Sequence, residues 1–186
     1  MDYACLKQQI FAHPPYQLVP LRQQDLLDIK NWRNAQMNIL RQHTLLTDTA
    51  QEQYYQTAIL PLFTQTHPNQ VLFSFLLNDS CIGYGGLVHL DWHCRRGEVS
   101  FLLDPQRTID PHQYQQDFTI FLTLLKQIAF IHLKLHRLYT ETFDIRPHHI
   151  AVLEAQGFIP EGRLKEHVIV EGKFIDSLMH GCINHG

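Results

Sequence analysis

Glu98 has the sequence setting of a working carboxylate. It lies in Arg96-Gly-Glu98-Val-Ser-Phe-Leu-Leu103, where strict alternation along a strand puts Val99, Phe101 and Leu103 on one face and Glu98, Ser100 and Leu102 on the other. A carboxylate among apolar strand residues can be driven toward its neutral form, and so become able to take up a proton as a general base, directly or through water. The alternative is a solvated strand residue or an ion pair with Arg95 or Arg96. A second feature follows at once. Asp110-Pro111 with Gln113 reads as the N-cap, first and third positions of a helix, with the Asp110 carboxylate accepting the amide of His112 or Gln113. Histidine is abundant, with 13 residues. His132 and His136 are four apart but straddle an expected helix end, and His89 and His93 share a strand face only if no bulge intervenes. Neither pair has an HExxH context, and no metal site is expected.

These groups must be held by regular elements, and the hydrophobic pattern supplies them. Tyr16–Leu21 is a short strand, with Pro20 suiting an edge. Gln24–Asn34 has helical spacing, and Thr47-Asp48-Thr49 caps a second helix over Ala50–Leu60, ended by Pro61. Val71–Leu77, Cys81–His89 and Glu98–Leu103 read as strands in two successive hairpins, the first turning at Asn78-Asp79-Ser80. Tyr114, Phe118, Phe121, Leu122, Leu125, Ile128, Ala129 and Leu133 then mark the buried face of a long helix. Alternation returns at Arg137–Phe143. A short helix follows over Pro147–Gln156, with Gly157 as its left-handed cap. Two strands, Leu164–Val170 and Phe174–Ile183, turn at Glu171-Gly172. The predicted order is β-α-α-β-β-β-α-β-α-β-β, an α/β architecture with one mixed, mostly antiparallel sheet and helices on both faces.

Composition excludes several classes. At 186 residues the chain is expected to be a single domain. Fifteen Lys and Arg against 18 Asp and Glu leave a net charge of −3, which does not suit bulk nucleic-acid binding. Aromatic residues make up 11%, too many for a disordered chain. Four cysteines, Cys5, Cys81, Cys94 and Cys182, form no CxxC pair, so a reducing cytoplasm is expected rather than a disulfide scaffold. No apolar run reaches the length of a membrane span, and the first residues do not resemble a signal peptide.

The element order, together with several local strings, resembles the GCN5-related N-acetyltransferase (GNAT) family. The strings are Trp32-Arg33-Asn34, Ile82-Gly83-Tyr-Gly-Gly-Leu87, Arg96–Leu103, Val152-Leu-Glu-Ala-Gln-Gly157-Phe158, Glu161-Gly162-Arg163-Leu164 and Lys173-Phe-Ile-Asp176. They span roughly residues 16–183. Within the family the look is closest to two branches, the ribosomal-protein N-terminal acetyltransferases and the acetyltransferases of nucleotide-linked amino sugars. Gly83–Trp92 and the Glu161–Lys165 and Lys173–Asp176 strings favour the second. The resemblance implies acetyl transfer from acetyl-coenzyme A to a primary amine, of a small molecule or an amino sugar. A protein N-terminal amine, or a catalytically silent binding domain of the same fold, is the alternative. A homodimer through the exposed final strands is a further expectation.

The resemblance also assigns roles. Glu98 matches the family's frequent glutamate and would be the base. The backbone of Phe101, Leu102 and Leu103 would hold the pantetheine arm, and the amides of His112, Gln113 and Tyr114 the pyrophosphate. Arg146 stands where the family has an asparagine and would meet a phosphate or cap a loop. Trp32, Arg33, His89 and Trp92 would face the acceptor, core packing of Trp32 and hairpin surface for Trp92 being the alternative. Two departures stand out. The family's acidic tyrosine is Leu153 here, which leaves water, His148, His149 or Tyr139 to protonate the thiolate. The phosphate loop has no glycine between Gly97 and Gly157. Arg107 is then the candidate for a charge contact, and weak acetyl-coenzyme A binding is expected.

Overall fold

A computed structural model describes residues 1–185. Eight strands form one sheet in the order β1-β2-β3-β4-β5-β6-β8-β7. They are β1 (Phe11–His13), β2 (Tyr16–Pro20), β3 (Val71–Leu77), β4 (Ser80–Asp91), β5 (Arg96–Leu103), β6 (Arg137–Phe143), β7 (Ile159–Val170) and β8 (Lys173–Ile183). The helices are α1 (Leu26–Ala35), α2 (Asp48–Tyr54), α3 (Pro111–Lys126) and α4 (Pro147–Ala155). All strand pairs are antiparallel except β5 with β6.

The expected order holds with one addition. Phe11–His13 pairs with Tyr16–Leu18 ahead of the first expected strand. Three residues stopped by Pro14-Pro15 carry too little alternation to be read from sequence. β2 is therefore an inner strand, and Pro20 is not at the sheet edge. Pro20 still lies past Leu18, the last residue β1 pairs, so its missing amide faces no strand on that side. The second helix begins at the Thr47 cap, whose hydroxyl accepts the Ala50 amide. It then continues through wider and tighter turns to Thr64, with Pro61 inside the last of them.

Helices cover both faces of the sheet. On β4, Tyr84 reaches Arg33 of α1 at 2.5 Å, while a Cβ on the next residue, Gly85, would lie 2.8 Å from the Phe121 ring of α3 and 2.2 Å from the Ser100 carbonyl. Only glycine lets α3 and β5 approach this closely. On the α3 face Phe101 stacks on Phe118 with centroids 4.4 Å apart, and Phe121 joins Phe101 at 4.5 Å. The buried apolar side chains form one cluster, from Tyr3 near the start to Cys182 near the end. No helix among the described residues is long and apolar enough to cross a membrane.

Candidate active site

The site begins where two strands part. β5 and β6 pair only through Arg96–Glu98 and Arg137–Tyr139. Beyond Glu98 they diverge, because β5 stays with β4 as far as Leu103 while β6 follows β8. The wedge is a cavity of about 310 Å³, walled by Val99–Phe101, by Thr140–Phe143, and by Arg33, Arg41, Arg146 and His149. Glu98 stands at its apex.

The Ser100 and Leu102 carbonyls point at Gly85 and Gly83 of β4. Backbone polar groups alternate sides along a strand, so those of Val99, Phe101 and Leu103 face the wedge. This corrects one expectation, since Leu102 cannot offer its backbone to a pantetheine arm. The Leu103 carbonyl is also engaged, by Gln36 Nε2 at 2.8 Å. Phe101 is left as the open rung.

Glu98 is nearly buried, and its partner is neither Arg95 nor Arg96. Arg41, from the loop after α1, donates Nη2 to Glu98 Oε1 at 2.7 Å and to Glu141 Oε2 at 2.9 Å. His89 Nε2 lies 3.8 Å from Glu98 Oε2. His89 sits at a bulge in β4 with a left-handed backbone, φ 50°, so it shares no face with His93. Among the described residues no cluster of His, Cys, Asp or Glu could hold a metal ion.

Of the four acceptor-side expectations, Arg33 and His89 line the wedge and two do not. Trp32 is half-buried and packs against the core, while Trp92 donates its indole N–H to the Pro68 carbonyl at 2.7 Å and meets His67 edge-on. An indole that finds both a packing surface and a carbonyl has no polar end left for a ligand. A larger cleft of about 1030 Å³ opens beside the wedge between the 37–43 loop and β7. It shares Leu40, Arg41, Glu141 and Phe143 with the wedge and is also lined by Glu171.

On the other side a cavity of about 200 Å³ runs between Thr108, Pro111 and Tyr114 of the α3 entry and Pro147 and His148 of α4. Arg146 and His149 line both it and the wedge. Arg146 thus sits between the two cavities. Arg107 does not: its Nε and Nη2 form a two-pronged pair with the fully buried Asp117 at 2.7 and 3.0 Å, and Tyr16 adds a hydroxyl to the same carboxylate at 2.9 Å. The Gln113 side-chain oxygen, oriented to satisfy both groups, accepts from Arg107 as well. A guanidinium neutralising a buried carboxylate is structural, so the expected phosphate contact from Arg107 is withdrawn.

The expected cap is present. Asp110 Oδ1 accepts the His112 amide at 2.9 Å, and the Asp110 carbonyl accepts the Tyr114 amide at 2.9 Å. Two of the three amides expected at the pyrophosphate, those of His112 and Tyr114, are therefore used within α3. Leu153, at the family's tyrosine position, is fully buried in the core. Sequence reading missed Arg41 and Glu141 altogether. Arg41 lies in a loop with no periodicity, and Glu141 is one polar residue in the alternation of β6.

A family model described as the acetyltransferase (GNAT) domain matches residues 18–179. No curated protein matches the chain. Among solved structures, spermidine N-acetyltransferase from Vibrio cholerae in complex with CoA and spermine superposes with a TM-score of 0.78 at 20% identity, covering 92% of this chain and 96% of that one. Mutant forms of the spermidine/spermine N-acetyltransferase SpeG from Vibrio cholerae superpose with 0.75 at 19% identity, over 92% and 95%. A dodecameric structure of the spermidine enzyme from the same organism gives 0.73 at 19%, over 92% and 95%. At these identities the superpositions show the fold.

Proposed function

The chain belongs to the GNAT family of acetyltransferases, and from that premise we propose that the wedge between β5 and β6 is where it moves an acetyl group from acetyl-coenzyme A to a primary amine. The carrying observation is Glu98, a carboxylate at the apex of a cavity whose one wall is an unpaired strand edge. Acyl transfer needs a neutral amine, a base for its proton, and donors for the tetrahedral oxyanion. Glu98 is the base. The Phe101 backbone pairs with the pantetheine arm, and the arm enters through the smaller cavity past Arg146 and the Gln113 amide.

For the acceptor we propose a polyamine-like cation rather than the amino sugar expected from sequence. Glu98 and Glu141 line the wedge, and Glu141 and Glu171 line the adjoining cleft, a set of carboxylates suited to an extended chain of ammonium groups. The named substrates of the superposed enzymes are also polyamines. Purified protein supplied with acetyl-coenzyme A and, in turn, spermidine, a nucleotide-linked amino sugar and an N-terminal peptide should release coenzyme A fastest with spermidine, with the acetylated amine seen by mass. Preference for the sugar nucleotide or the peptide would overturn the acceptor assignment. No transfer to any of them would favour a silent binding domain.

Self-association is proposed through β7. This outer strand exposes Ile159, Leu164 and Ile169, and an uncovered apolar edge strand is a template for pairing. Light scattering showing a monomer at working concentration would contradict it.

A further inference from the structure

Collapse of the tetrahedral intermediate expels a thiolate, and a positioned acid must protonate it for the step to be fast. The pantetheine arm that enters through the smaller cavity reaches the wedge beside His149, the histidine common to both. His149 is buried and its ring stacks on Phe118, with centroids 4.4 Å apart and planes 14° from parallel. Its Nδ1 is 2.7 Å from the Tyr114 hydroxyl, and Arg146 Nη2 is 3.2 Å from the same oxygen.

The donor inventory admits an arrangement in which His149 holds a transferable proton. A guanidinium only donates, so the Tyr114 oxygen accepts from Arg146 and its single proton is free to point at His149. In that arrangement Nδ1 accepts, and the neutral imidazole carries its proton on Nε2. Three influences keep the ring neutral: burial first, then the charge of Arg146, then His180, which together hold its pKa well below the ordinary histidine value.

We propose that Tyr114 and His149 form a proton relay that delivers the acid of the acetyl-transfer step, an inference that rests on the acetyltransferase reading above. As the C–S bond breaks, its electron pair goes to sulfur, which takes the Nε2 proton of His149. Nδ1 takes the Tyr114 hydroxyl proton in the same motion, and the phenolate that results lies against Arg146. The relay resets in reverse: Nε2 takes a proton from solvent in the wedge and Nδ1 returns its proton to the Tyr114 phenolate, balancing the proton Glu98 gives up after taking it from the amine. His149 is the catalytic residue of this step, and Tyr114 and Arg146 act through it.

The test compares two donors that share every binding handle, acetyl-coenzyme A and its selenium analogue acetyl-seleno-coenzyme A. A selenol is a stronger acid than a thiol, so its anion leaves with less need of protonation. His149→Gln should lower kcat with acetyl-coenzyme A by roughly 100-fold or more, and by far less with the selenoester, while calorimetric affinity for acetyl-coenzyme A stays within about threefold of wild type. An equal loss with both donors, or no loss with acetyl-coenzyme A, would overturn the relay. Should His149→Gln unfold, Tyr114→Phe is measured in its place, with the same donor dependence expected and the same results counting against it. A wild-type chain that turns over neither donor would remove the acetyltransferase reading itself, and the relay with it.

Discussion

Arg41 Nη2 donates to Glu98 Oε1 across 2.7 Å, and the same nitrogen reaches Glu141 Oε2 at 2.9 Å. One guanidinium thus occupies the space between the two carboxylates that a substrate ammonium would use. Glu98 is also not free to take a proton while Arg41 holds it. An incoming cation must displace Arg41, whose side chain is about half exposed on a loop. The exposed side of that ion pair is screened by solvent, and substrate binding can offset its loss. Arg41→Gln should therefore lower KM for spermidine by roughly threefold to fivefold, read from steady-state kinetics. A raised KM would mean that Arg41 binds the acceptor rather than excluding it.

Arg107 and Asp117 give a stability prediction that separates structure from cofactor binding. Asp117 is fully buried and receives Arg107 and Tyr16 together. Arg107→Ala leaves that carboxylate without its countercharge, and breaking a buried pair from one side costs about 3–5 kcal/mol. Denaturant unfolding should show the loss. Unchanged stability with weakened acetyl-coenzyme A binding would return Arg107 to the phosphate site.

Asp110 competes for the helix-entry amides. Its carboxylate holds the His112 amide and puts a negative charge where a pyrophosphate would approach. Repulsion at close range costs on the order of 1 kcal/mol, so Asp110→Gly should tighten acetyl-coenzyme A by roughly fivefold while costing a few tenths of a kcal/mol in stability. Calorimetry that finds equal or weaker binding would end the competition argument.

His149 predicts a pH effect on folding. Its folded pKa lies well below the ordinary value, chiefly through burial, so below the unfolded pKa of about 6.5 the unfolded chain binds the extra proton. The contribution is complete above that pH and is lost as pH falls through and below it, by up to about 1.4 kcal/mol per unit. Thermal unfolding of wild type should weaken more steeply than His149→Gln between about pH 6.5 and 5. Parallel curves would mean that His149 takes up its proton alike in the folded and unfolded chain.

Elements with a clear period or a strong turn could be read before any coordinates. Arg137–Phe143 matches β6 at both ends, and the Asn78-Asp79 and Glu171-Gly172 turns close their hairpins. The phase of Glu98 followed from alternation, and the Asp110 cap from the residue order around Pro111. What could not be read depends on contacts between distant segments. Arg41 and Glu98 are 57 residues apart, and Tyr114 and His149 are 35 apart. Only the fold brings them together. The Arg107–Asp117 pair was hidden differently, because an arginine in a polar loop looks available until the buried acid beneath it is seen. Trp92 looked like a ligand surface until Pro68 supplied its acceptor.

Removal of the amine proton by the carboxylate at the apex of the β5–β6 wedge is the step on which the rest depends. The direct test is kcat of Glu98→Gln with saturating acetyl-coenzyme A and spermidine, beside thermal unfolding and acetyl-coenzyme A affinity of the same variant. With Glu98 as the base, kcat should drop by roughly 10²–10⁴-fold in a protein that still folds and still binds acetyl-coenzyme A. A kcat equal to wild type would contradict that role.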